Sequence, residues 1–480
     1  MTNVSALIDI GGSSIKVTIC DINAGRIYSH DVSTAPKVEG RHISLEPNHL
    51  YTNVIKAMNA CANKLPPGLA ISNLYISTLR QGFCLVQGAE EATPLYLNSD
   101  SSGEYARKDI ENYGSEKIYE ETGHWFAPQL TLPRVINLLQ IKPKLFDKRT
   151  KLLFVHDWLV WRLTNILLTE MTLVSAGQLS NLKESKAHTE LFDYFRIPVS
   201  LLPEPQKFGT SLGKFMMRVQ SELTSHWRET ILCVGGGDSH FLHMGSSSNS
   251  RGIVVVSAGS STPISLLSPE LGTPTILKPW KSTSFVETDY LLEGNLGYPG
   301  SFYGWLQSNV SEPLSSQRVD IETISRAPIV FGSCNMWNEK KWESRPAFSI
   351  MGDFSNSSSA DLALGLTLDY AYSLANQIAA LDNDGFEIDK VIITGGGANA
   401  QIQSILNSLL EKPVNLISTD NAVRNLFMIL NGMSALATNC NSEPEILDKE
   451  TSEFLKERSK RHSFLYEQVE DTRKVLENAG

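Results

Sequence analysis

The 480-residue chain reads as an α/β protein of two related domains. Three observations predict this: a glycine- and serine-turned hairpin that occurs twice, a strand running into three glycines that occurs twice, and the same order of the two patterns in each half. The first hairpin is LIDIGGSSIKVTICD, Leu7 to Asp21, and its counterpart is IVVVSAGSSTPISLL, Ile253 to Leu267. The triple glycines lie in ILCVGGGDSHFLHMG, Ile231 to Gly245, and in VIITGGGANAQIQSIL, Val391 to Leu406. The polar stretch Gly245–Gly252 punctuates the chain between them, which sets the domains at 1–247 and 248–480.

Helical periodicity supplies the other layers. Leu362, Leu366, Tyr370, Leu374, Ile378 and Leu381 recur every three or four residues and form one apolar stripe. Ile402, Ile405, Leu406, Leu409 and Leu410 do the same after the second triple glycine. The last forty or so residues read as a polar amphipathic helix on the surface of the second half, without legible chemistry.

Bulk properties narrow the function. A chain this long exceeds the size of a single growing core. Hydrophobic residues at 41% and charged residues at 20% are ordinary for a globular enzyme. The formal net charge of -10, without a run of one sign, argues against a nucleic-acid or anionic-membrane surface. No apolar run reaches transmembrane length, and the start MTNVSALIDIGG lacks the features of a signal peptide. Cys20, Cys61, Cys84, Cys233, Cys334 and Cys440 show no CxxC spacing, as expected for reduced structural thiols. These features predict a cytoplasmic protein, and a homodimer is compatible with them.

The turns are where chemistry concentrates. Phosphates need close backbone N–H groups and small hydroxyls, which Gly11, Gly12, Ser13 and Ser14 offer in one hairpin and Gly259, Ser260 and Ser261 in the other. An ordinary tight β-turn is the plain alternative for either alone. Asp9 ends the first strand, where a carboxylate can hold Mg²⁺, and Lys16 on the return strand would add positive charge toward phosphate. Each triple glycine leaves a helix N-terminus free to face a ligand. Gly395, Gly396 and Gly397 suit a flat nucleoside on bare backbone. Gly235, Gly236 and Gly237 lead into Asp238, which is either a carboxylate at a cleft edge or a helix cap. GTSLGKF at Gly209 fails as a phosphate loop because its spacing is short and no Ser or Thr follows the lysine. His240 and His243 lack the HExxH spacing and read as packed helix residues rather than metal ligands.

In this order the motifs resemble the FGGY family of carbohydrate kinases, from Ala6 to about residue 465. LIDIGGSSIKV is similar to the family's first phosphate motif, VSAGSST to its second, and ITGGGANAQIQSILNSLLEKPV to its adenosine motif. VHDWLVWRLTNILLTEMTLVSAGQLSNL, from Val155, resembles the family's first signature and the strand after it. CVGGGDSHFLHMG resembles the segment with the catalytic aspartate, which falls on Asp238.

The resemblance implies two actin-like (ribonuclease H-like) domains with the active site in the cleft between them. It implies ATP and Mg²⁺ as cofactors and a small sugar or polyol as partner, such as a pentulose. Asp9 would organise Mg²⁺, with Asp238 beside it as the general base of in-line transfer. Gly12, Ser13, Gly259 and Ser260 would touch phosphates, and Gly396, Gly397 and Asn399 would lie near adenosine. LNSDSSGEY resembles the substrate segment WNDxR and RQGF the stretch before it, which makes Arg80, Gln81 and Asp100 candidate sugar ligands. Three departures stand out: Gly12 replaces the usual Thr, the Trp and Arg of WNDxR are missing, and RNLFMILNGMSAL from Arg424 replaces a late GAA segment. The alternative is an actin-like ATP-binding regulator, or an inactive relative, without sugar turnover. The substrate-like segments between Asp100 and Pro128 favour the kinase, since a pure nucleotide switch has no need of them.

Overall fold

A computed structural model describes residues 4–272, 277–309, 318–332, 349–352, 357–435 and 446–478. The chain divides into two compact units. The first comprises Met1–Ser248, Lys281–Leu291 and Val423–Ala435, and the second the remainder. A single cut at 247/248 therefore omits two later segments that fold into the first unit.

The first unit is built on a sheet that opens with strands β1 (Val4–Ile10), β2 (Ser14–Asp21) and β3 (Arg26–Ser33). Helix α1 (Pro47–Ala62) then leads to β4 (Asn73–Thr78). After α2 (Thr131–Ile141) and α3 (Val155–Thr164), β5 (Ser211–Gly213), β6 (Ile231–Cys233) and β7 (Gly236–Gly237) complete the sheet, and helix α4 (Asp238–Ser247) follows. The strand order is β5-β6-β4-β1-β2-β3, with β7 also pairing with β4. β1, β6 and β7 run parallel to β4, whereas the β1–β2 and β2–β3 pairs are antiparallel. β1 is buried along nearly its whole length because it lies inside the sheet and is covered on both faces. β3 alternates in exposure, as an edge strand does. α1, opened by Glu46 accepting from the Asn48 and His49 N–H groups, buries Leu50, Val54 and Met58 against this sheet. A second core forms around Phe83, Phe154, Leu132 and Phe192.

The second unit repeats the plan. β8 (Ile253–Ser257) pairs antiparallel with β9 (Pro263–Ser268), and β10 (Tyr290–Asn295) joins β9. α5 (Pro299–Asn309) and α6 (Ser359–Asn383) precede β11 (Lys390–Thr394), which lies parallel to β8. α7 (Ala400–Leu409), β12 (Val414–Leu416), α8 (Thr419–Leu430) and the tail helix α9 (Lys449–Asn478) complete the chain. The order is β10-β9-β8-β11-β12, with the strand Trp280–Thr283 on the outer side of β10. The stripe from Leu362 to Leu381 is α6, opened by reciprocal bonds between Ser358 and Asp361 and burying Leu366, Tyr370, Leu374, Ile378 and Leu381. The tail helix packs Leu455 into the same core. The stretch expected as a loop at Gly245–Gly252 is half helix: α4 runs through Ser247 and stops at Ser248, whose φ is +58°.

Cys20, Cys61, Cys84 and Cys233 are free and buried, whereas Cys334 and Cys440 lie outside the described residues. Among the described residues no helix is long and apolar enough to cross a membrane. The replaced segment from Arg424 joins the first unit: Leu426, Phe427 and Leu430 pack with Leu7, Tyr75 and Phe241. Arg424 donates to the Gly25 carbonyl at 2.6 Å, and the Tyr75 hydroxyl donates to that of Leu430 at 3.0 Å.

Candidate active site

In the first unit, the candidate residues gather at the carboxyl ends of parallel strands, where open α/β sheets leave room for ligands. Asp9 ends β1, Ser77 and Thr78 end β4, and Asp238 follows β7. The register puts Asp9 opposite Ser77 and Ser77 opposite Gly236, so three strands align their ends. The Ser77 hydroxyl donates to Asp9 Oδ1 at 2.9 Å. Burial pushes the Asp9 carboxyl up to about 6, the nearby Asp238 charge adds to this, and the Ser77 bond and Lys16 work against it.

Asp238 is the first residue of α4, with Gly237 in the cap position, so its side chain does not close the helix end. Oδ1 accepts from the Ser239 N–H at 2.8 Å and lies 3.4 Å from Arg80 Nε. The carboxylate is 45% exposed while Gly235, Gly236 and Gly237 behind it are buried. It thus stands out of an otherwise packed turn. His240 and His243, the next turn of α4, are buried and pushed down to about 3 by desolvation, and His240 Nε2 meets the Thr283 carbonyl at 2.9 Å. No cluster of three or more potential metal-binding side chains occurs among the described residues.

The first hairpin turn is open to solvent. Gly12, Ser13 and Ser14 are exposed, the Gly11 N–H donates to the Ser14 carbonyl at 2.9 Å, and the Thr34 hydroxyl donates to the Gly12 carbonyl at 2.9 Å. Lys16 is also exposed and pairs across the ladder with Asp9.

Gln81 and Asp100 behave otherwise than expected of sugar ligands. Gln81 is buried with φ of +64°, a left-handed conformation that costs a non-glycine residue about 1–2 kcal/mol. Its carbonyl accepts from the Thr131 hydroxyl at 2.9 Å and from the buried Arg134 guanidinium, which hold that conformation beside Arg80. Asp100 is fully buried. Oδ1 accepts from the Ser102 N–H (3.0 Å) and hydroxyl (2.5 Å), and Oδ2 from the Ile43 N–H (3.0 Å). Its charge also offsets the desolvation that pulls Arg134 down to about 10. Asp100 therefore anchors its loop, because an internal cation and three internal donors occupy it.

The second unit holds a cavity of about 540 Å³ at the carboxyl ends of β8 and β11. Gly259, Ser260, Gly396, Gly397 and Asn399 line it, with Tyr303, Leu366 and Ile402 as apolar walls. Gly395 has φ of +99°, and a Cβ on it would come within 2.7 Å of the Ala258 carbonyl. Gly397 donates its N–H to the same carbonyl at 2.8 Å, which ties the triple glycine to the hairpin turn. Asn399 caps α7 by accepting from the Ile402 N–H at 2.9 Å. Ser260 and Ser261 follow Gly259 in the turn, and the Ser260 carbonyl accepts from the Ser301 N–H at 3.2 Å.

Sequence reasoning passed over Ser77 and Thr34. The signal for Ser77 was the polar pair that ends the apolar strand NLYIST. The Thr34 hydroxyl reaches the Gly12 carbonyl only because the β2–β3 pairing brings the two together, which no local pattern signals.

Residues 4–245 match the N-terminal domain of the FGGY family of carbohydrate kinases, and the chain belongs to that family. Its relatives include YoaC of Bacillus subtilis (strain 168), provisionally named as a sugar kinase, at 24% identity over 66% of this chain and 64% of that protein. The rhamnulokinase of Yersinia pestis bv. Antiqua (strain Angola) is 32% identical over 30% of each chain. The chain thus spans less than two thirds of the length of these relatives. Two solved structures share its fold throughout. The xylulose kinase from Rhodospirillum rubrum has a TM-score of 0.80 at 15% identity, covering 98% of this chain and 100% of its own. The glycerol kinase of Plasmodium falciparum, solved with ADP, has a TM-score of 0.78 at 17% identity, covering 98% of each. The fold is therefore the expected pair of related actin-like α/β domains.

Proposed function

We propose that the protein transfers the γ-phosphoryl group of ATP to a hydroxyl of a small sugar or polyol, with Asp238 as general base. One observation carries this reading: a half-exposed carboxylate stands on a buried strand-to-helix turn, flanked by Arg80 and by the second acid Asp9. Asp238 would accept the hydroxyl proton as the oxygen attacks in line. Arg80 would hold the carboxylate in orientation and add positive charge near the transferred group. The glycine-lined cavity of the second unit would seat the nucleoside, and the Gly12–Ser14 and Gly259–Ser261 turns would present N–H groups and hydroxyls to phosphate oxygens.

Asp9 and Asp238 offer an all-oxygen donor set with the Ser77 hydroxyl behind it, which fits Mg²⁺ held by one or two carboxylates and phosphate. When bound there, the ion would neutralise phosphate charge. Asp9 stays partly protonated near pH 6 without such a counter-charge, and so its charge would be recovered on loading.

The test is ADP release across pentuloses, hexuloses, polyols and linear dihydroxy-ketones, in wild type and in Asp238→Asn. A sugar should stimulate wild type, and the variant should lose about 100- to 10,000-fold in kcat while binding ADP as before. Sugar-stimulated turnover in the variant removes Asp238 as the base. A wild-type protein that binds ADP yet responds to no acceptor favours the regulator instead.

A further inference from the structure

The buried polar arm behind the catalytic turn comes from a segment that the proposed mechanism leaves unused. The β4 register pairs Leu232 with Leu74 but Gly236 with Ser77, so four residues on one strand oppose three on the other. The extra residue is a β-bulge between β6 and β7, a device that re-aims the chain next to a site. At the bulge, the Val234 N–H turns to the Thr210 carbonyl at 2.9 Å. The Gly235 N–H instead donates to His156 Nε2 at 3.0 Å.

That bond determines the tautomer. Nε2 accepts and so carries no proton, which places the ring proton on Nδ1, 2.8 Å from Asp157 Oδ1. Asp157 Oδ2 accepts from the Thr169 hydroxyl at 2.8 Å and the Phe154 N–H at 3.3 Å. Both His156 and Asp157 are fully buried. A second arm reaches the same turn: Glu170 accepts from the Thr172 hydroxyl, whose oxygen lies 3.5 Å from the Gly237 N–H. Gly235 has no room to shift, since a Cβ there would fall 1.9 Å from the Ile76 carbonyl oxygen.

We infer that His156, oriented by Asp157, is a positioning residue that holds the bulged Gly235–Asp238 turn and so aims the Asp238 carboxylate. This rests on the reading of Asp238 as the base. Both side chains are fully buried, so neither is exposed to a substrate. A misplacement of about 1 Å in a reacting group can cost about 100-fold in rate, so a turn held from behind matters to turnover.

Two readouts test it, one of them independent of activity. Hydrogen-exchange mass spectrometry follows the peptide from Cys233 to Phe241 in wild type, His156→Leu and His156→Gln. The leucine variant has no acceptor and should exchange faster at this peptide. Glutamine can place an oxygen near the Nε2 position and should restore most of the protection. In the sugar assay, His156→Leu should lower kcat by about 10- to 100-fold with KM for ATP within about twofold, and His156→Gln should recover most of kcat. Leu152→Ala, in the second core of the same unit, serves as a control of similar lost stability. Unchanged exchange in the leucine variant overturns the proposal, as does a kcat loss equal to that of the control. If no sugar stimulates wild type while the exchange pattern appears as expected, the kinase reading falls and the hold on the turn stands.

Discussion

The two triple-glycine turns look alike in sequence and differ in how completely their surroundings exclude a side chain. In the first, packing from all sides excludes a side chain: a Cβ would meet the Ile76 carbonyl at Gly235, Phe285 and Glu170 at Gly236, and the Arg80 stem at Gly237. In the second, Gly395 has a left-handed backbone and the Ala258 carbonyl 2.7 Å from where a Cβ would sit, whereas a Cβ on Gly396 would meet nothing within 4 Å. One turn is a clamped platform beneath an acid, and the other is open at its middle glycine and lines a cavity. The lesson is that a shared motif inherits a shape, and its surroundings decide what the shape is for.

The sharpest test of this contrast is Gly235→Ala. A methyl forced against backbone cannot be relieved by rotating a side chain, so the variant should lose about 3 kcal/mol or more, or fail to fold, as read from urea unfolding. Near-native stability there would remove the distinction between the turns.

Next in size is the acid pair on the first platform. The Asp9 carboxyl titrates at about 6 in the fold against 3.8 normally, so the folded state binds more protons than the unfolded state between these values. Stability contributed through Asp9 is therefore lost as pH rises from about 4 to about 6. Asp9→Asn should flatten that slope, match or exceed wild type in stability at pH 7, and still lose sugar phosphorylation. A variant with an unchanged pH profile of unfolding would show that Asp9 carries no such strain.

Smaller effects should follow at the periphery of each turn. Thr34→Val removes the hydroxyl bond to the Gly12 carbonyl and should cost about 1 kcal/mol in the same assay. Gly396→Ala should change stability by no more than about 0.5 kcal/mol. It should still weaken ADP binding measured by calorimetry, because the added methyl enters the cavity lining. A large loss of stability would show that the second turn is clamped like the first.

Much of the fold was legible because its signals are local. The two hairpins follow from turn chemistry, and α6 and α7 follow from apolar spacing along a few turns of chain. Asp238 stood out because a carboxylate directly after three glycines is a local pattern as well. Asp100 illustrates the opposite case. Its motif pointed to a sugar, yet donors from Ile43 and Ser102 and the buried charge of Arg134 occupy it.

By itself, the sequence determined the repeated α/β plan, the glycine turns and the acids at strand ends, since each depends on neighbours only a few residues away. The tertiary structure alone decided that Ser77 meets Asp9, that His156 takes the amide of Gly235, and that Val423–Ala435 joins the first unit. Such contacts join positions tens to hundreds of residues apart, and strand register and core packing select them. No local propensity encodes that choice.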